Sequence, residues 1–449
     1  MMTLQERVHS APMPSGWKLD KLHQTLKVRR GNKNAGMRED NLLSLSYGRI
    51  IRKDIDTDGG LLPESFETYQ VVEAGDIIMR LTDLQNDKRS LRQGLVKERG
   101  IITSAYDALE VVRDNEPRFW AYALLALDLA KYYYSLGGGV RQSVKFSDFP
   151  NEWIYRPDLP TQKRIAAVLD RETTRIDQLI AKKERFASMI GDREEALFLD
   201  AVTGRALQGP KQSSGVDWIG DLPEGWLAPK FTMVARQETG HTPSRKEPSY
   251  WVEEDCIIPW VSLADVWQLR SGETVYLTDS AEKISEFGMA NSSARLLPKD
   301  TVILSRTASV GFCAIMAQPM ATTQDFAAWI CSPKIRPKFL YYVLRAMKPE
   351  FRRLMMGSTH QTIYMPDIRS FRTPLPPLPE QDRIITELDL SIGTYRKAQA
   401  RTLESIKLLK ESRSALITAA VTGQIDLDNY GTAGTPSATL DRIEEEMQA

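Results

Sequence analysis

Residues 159–204 occur twice in this chain. Leu159-Pro160-Thr161-Gln162-Lys163-Arg164-Ile165 returns as Leu378-Pro379-Glu380-Gln381-Asp382-Arg383-Ile384, and Ala201-Val202-Thr203-Gly204 returns as Ala420-Val421-Thr422-Gly423, both displaced by 219 residues. Equal displacement at the two ends leaves no net insertion or deletion between them. A continuous helix demands this, because one extra residue rotates everything downstream by about 100°. Pro160 and Pro379 suit a first helical turn, and Gly204 and Gly423 suit the position that ends a helix. Each copy therefore predicts one helix of roughly 42 residues, about 63 Å long at 1.5 Å per residue.

A helix of that length needs a partner to cover its apolar face. In heptads, the first copy places Ile165, Glu172, Leu179, Phe186 and Arg193 at one core position and Leu169, Ile176, Lys183, Ile190 and Leu197 at the other. The second copy gives Ile384, Ser391, Ala398, Ser405 and Ser412, then Leu388, Tyr395, Thr402, Leu409 and Leu416. One row of the second copy is small where the first copy is bulky, so the two helices are expected to pack on each other rather than on copies of themselves. The plainer alternative is two ordinary amphipathic helices in a globular core. A pseudo-twofold with antiparallel helices closes on itself, as a parallel translation does not.

The rest of the chain reads as globular block, long helix, globular block, long helix and a tail. The 449 residues suggest about three domains. The blocks open at Pro14-Ser15-Gly16-Trp17 and Pro223-Glu224-Gly225-Trp226, and residues 138–149 align with 357–368 at the same displacement of 219. Trp120-Ala121-Tyr122 is matched with Phe339-Leu340-Tyr341 inside segments of helical composition. Short β-like runs such as Asp76-Ile77-Ile78-Met79 and Asp300-Thr301-Val302-Ile303-Leu304 make each block mixed α and β. The expected boundaries are 1–157 and 213–376 for the blocks, 158–212 and 377–430 for the helices, and 431–449 for a flexible tail rich in Gly, Thr, Ser and Ala. Met1 to Trp17 carries no apolar signal segment. Cys256, Cys313 and Cys331 form no paired motif and read as reduced thiols, which places the chain in the cytoplasm.

This order of blocks and L-P-x-x-Q-x-R-I helices resembles the DNA specificity subunit of type I restriction–modification systems, over about residues 10–428. The second block adds Gly240-His241-Thr242-Pro243-Ser244 and Leu304-Ser305-Arg306-Thr307-Ala308-Ser309-Val310-Gly311; the first has Gly31-Asn32-Lys33-Asn34 and Met79-Arg80-Leu81-Thr82 instead. The resemblance implies an α+β fold class: two mixed α/β target recognition domains separated by two long helices forming an antiparallel coiled coil, with an internal pseudo-twofold repeat. It implies a non-catalytic subunit that reads a bipartite site in double-stranded DNA and scaffolds two methyltransferase and two restriction/translocase subunits. S-adenosylmethionine, ATP and Mg are then expected on those partners and none on this chain. No membrane role is implied. The competing reading is a rod-like adaptor with two protein-binding heads and no DNA role.

Motifs for catalysis are missing. Pro376-Pro377 is followed by Leu where an amino-methyltransferase needs an aromatic, no G-x-G-x-x-G exists, and Gly31 and Gly36 are followed by Met37 where a phosphate loop needs lysine. Pro157-Asp158 and Pro366-Asp367 lack the D/E-x-K of a nuclease, and His9, His23, His241 and His360 are scattered.

DNA contact needs cations for phosphates and amide or guanidinium forks for base edges. In the first block the cations are Lys27, Arg29, Arg30 and Lys33, then Lys88, Arg89, Arg92, Lys97 and Arg99. In the second they are Arg236, Arg245 and Lys246, then Arg345, Lys348, Arg352 and Arg353. Candidate base readers are Gln142 and Gln361 in matched loops and Arg306, Thr307, Ser309 and Gln324 in turns after strands; His241, Thr242 and Ser244 in the glycine-led loop are further candidates for DNA contact. Both glutamines serve equally well as loop-locking hydrogen-bond partners. Phe198, Lys407 and Lys410 mark the helix faces expected to dock other subunits.

Four residues inserted into one long helix advance everything beyond them by about 6 Å and turn it by about 40°. The stripe then leaves register with its partner, and the insertion is expected to lower the thermal midpoint measured by calorimetry, or to change the spacing between half-sites when both helices are lengthened together.

Overall fold

The computed structural model describes residues 3–55, 63, 65–82, 84, 91–112, 114–136, 143–355, 361–427, 430, 440–441 and 443. The repeats form helices Leu159–Thr203 and Leu378–Val421, ended by Gly204 at φ +66° and Gly423 at φ +71°. The glycines are required for space as well as for φ. A Cβ on Gly204 would lie 2.7 Å from Pro223 Cγ, and one on Gly423 2.3 Å from Pro14 Cγ, with Trp226 and Trp17 close behind. Each helix therefore ends against the opening turn of a block.

The motif glutamine explains how each helix begins. Gln162 is fully buried; its Oε1 accepts from Glu116 N at 2.8 Å, and its Nε2 donates to Pro157 O at 2.9 Å and Asn115 Oδ1 at 3.1 Å. Gln381 repeats this, accepting from Arg336 N at 2.8 Å and donating to Pro376 O at 2.9 Å and Lys334 O at 3.1 Å. One amide thus ties the long helix to the start of a shorter one, Pro117–Leu129 or Pro337–Ala346. A buried polar group persists where all its hydrogen bonds are met.

The chain divides into two compact units, residues 1–184 with 403–449, and residues 185–402. In the first, Ile165, Leu169, Ile176 and Leu179 share a core with Ile406, Leu409, Leu416 and Ile417. Asp177 pairs with Arg413 at 2.9 Å and Glu184 with Lys410 at 3.2 Å, so the two helix segments run antiparallel. In the second, Phe198 and Val202 share a core with Ile384, Leu388 and Ile392. The stripes are legible but not complete: Phe186 is 52% exposed and Arg193 is exposed, contrary to their assigned core places. Phe198 errs the other way. It is buried and stacked on Tyr342 at 5.6 Å, so it is unavailable for docking.

Both units carry sheets whose first four strands follow a matching order. The first runs Leu26–Val28, Asp107–Val111, Ile77–Met79, Gln93–Leu95, all antiparallel. The second runs Ala235–Thr239, Phe326–Cys331, Val302–Ser305, Cys313–Met316, also antiparallel, and adds Tyr276–Leu277 in parallel at the far edge. One alignment needs correction. Tyr122 donates to Asp170 at 2.9 Å, and it is Tyr342 that donates to Asp389, so Trp120-Ala121-Tyr122 matches Leu340-Tyr341-Tyr342, one residue later than expected. Loops flanking the short helices absorb the difference.

The described part of the tail is not loose. Leu440 is buried, and Asp441 pairs with Arg175 at 2.6 Å; residues 431–439, 442 and 444–449 lie outside the described residues.

Replacing Gln381 by Leu leaves a buried amide and two carbonyls unmatched, and is expected to cost about 3 kcal/mol, or roughly 6–12 °C in the thermal midpoint of the affected unit. The 208–215 stretch is not all loop, since Lys211–Ser213 pairs antiparallel with Asp221–Pro223. Because Gly423 already lies against Pro14 and Trp17, joining Ala449 to Met1 and opening the chain at exposed Gln208–Gly209 is expected to give a folded circular permutant, checked by its circular dichroism spectrum and melting curve.

Candidate nucleic-acid interface

In the second unit, four separate segments converge on one exposed face. The edge strand Ala235–Thr239 leads into Gly240, where a Cβ would lie 1.8 Å from Thr322 O; only glycine lets His241 N reach that carbonyl at 3.0 Å. Next in the loop, Thr242 Oγ1 donates to Gln324 Oε1 at 2.8 Å. Arg306 leaves the strand Val302–Ser305, with its N donating to Asp325 O and its O accepting from Ile363 N, both at 2.8 Å. Its guanidinium donates to Gln324 O at 3.0 Å and Ile363 O at 3.4 Å. Thr307 donates to Asp325, Ser309 O accepts from Ser305 Oγ, and Ala308, at φ +53°, donates its N–H to Gln361 O at 2.8 Å. Thus Thr242, Arg306, Thr307, Gln324 and Gln361 are drawn together, although up to 119 residues separate them.

The charge on this face is unneutralised at Arg306, which is bonded to carbonyls and has no ion pair among the described residues. Lys246 is also exposed without an ionic partner among them. Arg245 is more constrained: its guanidinium lies 3.9 Å from the centroid of Trp251 and pairs with Glu282 at 2.6 Å. Ser244 is exposed in the same loop, its carbonyl accepting from Trp251 Nε1 at 3.1 Å. Arg236 is exposed beside Glu238 at 3.3 Å. Arg345, Lys348, Arg352 and Arg353 are instead engaged with Glu194, Glu195 and Glu350. Sequence reading missed Tyr364, 57% exposed and next to the Ile363 that clasps Arg306. A single exposed aromatic leaves no periodic signal.

In the first unit the expected cations separate into distinct roles. Arg29 makes a two-pronged pair with buried Asp76, both contacts at 2.7 Å, and those hydrogen bonds hold the guanidinium pKa above its ordinary value. Its expected phosphate contact is corrected to a fold-stabilising role. Arg92 is corrected likewise: it is fully buried, donates to Thr82 O at 3.2 Å, and lies over the Tyr134 ring at 5.7 Å. Arg99 pairs with Glu39 and Glu73. Lys27, Arg30, Lys33 and Lys97 are exposed with no ionic partner among the described residues. Lys88, Arg89, Gln142 and His360 lie outside them.

The loops at corresponding sheet positions differ in chemistry. Val144 N donates to Leu81 O at 2.9 Å, as Ile363 N does to Arg306 O. A buried leucine therefore stands in the first unit where the second has a half-exposed arginine.

Burial pushes the Cys313 thiol up to about 11 and Cys331 up to about 12, away from an activated thiolate. No group of three His, Cys, Asp or Glu side chains placed to hold a metal occurs among the described residues. Nor, among them, is any helix long and apolar enough to cross a membrane.

Residues 230–405 match the type I restriction modification DNA specificity domain. The specificity subunit of the type I restriction enzyme MjaIX of Methanocaldococcus jannaschii is 29% identical over 194 residues, which is 42% of this chain and 44% of that one. The EcoR124I/EcoR124II specificity subunit of Escherichia coli is 29% identical over 157 residues, covering 33% and 37%. Both matches span less than half of the relative. The MjaVIII specificity subunit is 22% identical over 442 residues, 94% of this chain and 96% of that one. A solved chain from work on complex assembly and conformational transition of the type I R-M system aligns with TM-score 0.68 at 20% identity, over 92% of this chain and all of that one. The HsdS subunit of Thermoanaerobacter tengcongensis aligns with TM-score 0.50 at 19% identity, over 94% of this chain.

The type I specificity-domain match covers residues 230–405, less than half of the chain, and the convergent face lies within it, since 230–405 includes Arg236 through Gln361. Gly240→Ala forces the Thr322 backbone away and is expected to lower the thermal midpoint of the second unit. Gly191→Ala, with nothing within 4 Å of its new Cβ, is expected to raise stability by roughly 0.5–1 kcal/mol. Paired melting curves check the opposite signs.

Proposed function

We propose that this chain is the non-catalytic, sequence-reading subunit of a type I restriction–modification complex. Each block reads one half of a split duplex site. The two long helices set the spacing and carry two modification and two restriction subunits, on which S-adenosylmethionine, ATP and Mg act. The observation that supports this reading most is the face around Arg306. Its unneutralised guanidinium, the exposed amides of Gln324 and Gln361, and the hydroxyl-bearing Thr242 and Ser309 offer the donor and acceptor types that read base edges in the major groove. Exposed Lys27, Arg30, Lys33 and Lys246 supply the phosphate contacts that orient a duplex without reading it.

Phosphate contact releases condensed counterions, so the logarithm of the affinity for the cognate duplex is expected to fall linearly with log salt, with a slope of about −0.9 per phosphate contact. Arg306→Ala is expected to weaken cognate binding by roughly 1–3 kcal/mol with loss of base preference in one half-site. Lys33→Ala is expected to weaken all sequences alike and to lower the salt slope by about one. Fluorescence anisotropy titrations of the complex with its modification subunits, at several salt concentrations, check both. Binding that ignores salt would favour the adaptor reading.

A further inference from the structure

The two long helices carry an ion pair at equivalent places in the repeat, with its polarity reversed. In the first unit, Asp177 of the first long helix takes Arg413 of the second, at 2.9 Å to Nε and 3.3 Å to Nη2. In the second unit, Glu194 of the first long helix lies 3.7 Å from Arg396 of the second. Asp177 and Arg396 are 219 residues apart, and so are Glu194 and Arg413, which is the displacement of the repeat itself. The repeat therefore maps acid onto base and base onto acid. All four side chains are largely withdrawn from water, at 30% and 23% exposure in the first pair and 14% and 23% in the second.

The row of Leu169, Ile190 and Leu197 does not by itself enforce this choice of partner, because it is nearly the same in both helices. Leu169 and Leu388 are the same residue at equivalent places, as are Leu197 and Leu416, and Ile190 stands where Leu409 does. Helices so alike are able to meet their own copies through these positions. We propose that Asp177, Glu194, Arg396 and Arg413 form a pairing code that directs the first long helix onto the second and excludes a second copy of either.

The consequences follow from substitution by register. A first helix paired with its own copy sets Glu194 in the place of Arg413, against Asp177. Arg49, 3.2 Å from Asp177 and well exposed, softens that encounter. A second helix paired with its own copy sets Arg413 in the place of Glu194, against Arg396. Arg345, 3.6 Å from Glu194 and 11% exposed, then joins as a third positive charge. Like charges withdrawn from water repel far more than solvated ones, and paired helices gain specificity by placing such repulsion against the wrong partner.

The test uses the full chain and two variants of equal net charge. The exchange variant, Glu194→Arg with Arg413→Glu, makes both native pairs repulsive and both self-pairs attractive. The reversal variant, Asp177→Arg with Arg413→Asp, restores attraction within the first pair. Light scattering after size exclusion, with melting curves, is expected to show the exchange variant either as a dimer or melting at least about 5 °C lower. The reversal variant is expected to keep the wild-type mass and to melt within about 2 °C of it. An exchange variant with unchanged mass and midpoint, or equal losses in the two variants, would overturn the pairing code.

Discussion

Everything in this chain depends on a buried amide at the start of each long helix. Gln162 and Gln381 are fully buried, yet every polar atom of each amide is answered by the backbone or side chains of the preceding block. Such a group specifies geometry because an incorrect approach leaves a donor or acceptor unmatched in a dry interior. The motif L-P-x-x-Q therefore joins a block to a rigid element at one orientation. Pro-opened helices end on Gly204 and Gly423, where a close approach to Pro223 or Pro14 admits no side chain. Start and stop are both fixed by packing that the sequence repeats.

This accounts for what could be read without coordinates. The long helices, their lengths and their glycine ends were legible because a helix preserves spacing and both copies preserve 219. Mixed α and β blocks were legible from runs such as Ile77-Ile78-Met79. Charge at single sites was not. Arg29 and Arg92 look like Arg30 in a sequence, yet Asp76 and the interior claim the first two and leave the third exposed. Phe186 and Phe198 depart from the heptad reading in opposite directions, because a helix whose two parts serve different cores does not keep one face buried throughout. Convergence of Thr242, Gln324 and Arg306 was hidden too, since it is created by sheet order rather than by proximity along the chain.

The two units share a scaffold and differ where the loops leave it. Matching sheet orders, matching glutamines and matching Tyr–Asp contacts at Tyr122 and Tyr342 hold the common frame. At one equivalent loop position the first unit has buried Leu81 and the second has Arg306. Frame residues are tied by buried hydrogen bonds, while the loops that leave the sheet ends carry the difference in chemistry between the two units. Two different readings from one repeated frame are what the proposed split-site recognition requires.

The most direct test of that account is to map methylation in a host carrying this chain and its modification subunits, before and after the 1–157 block is replaced by that of another specificity subunit. The account predicts a new sequence in one half of the methylated site, with the other half and the intervening spacing unchanged. A change in both halves together, or none, would contradict it.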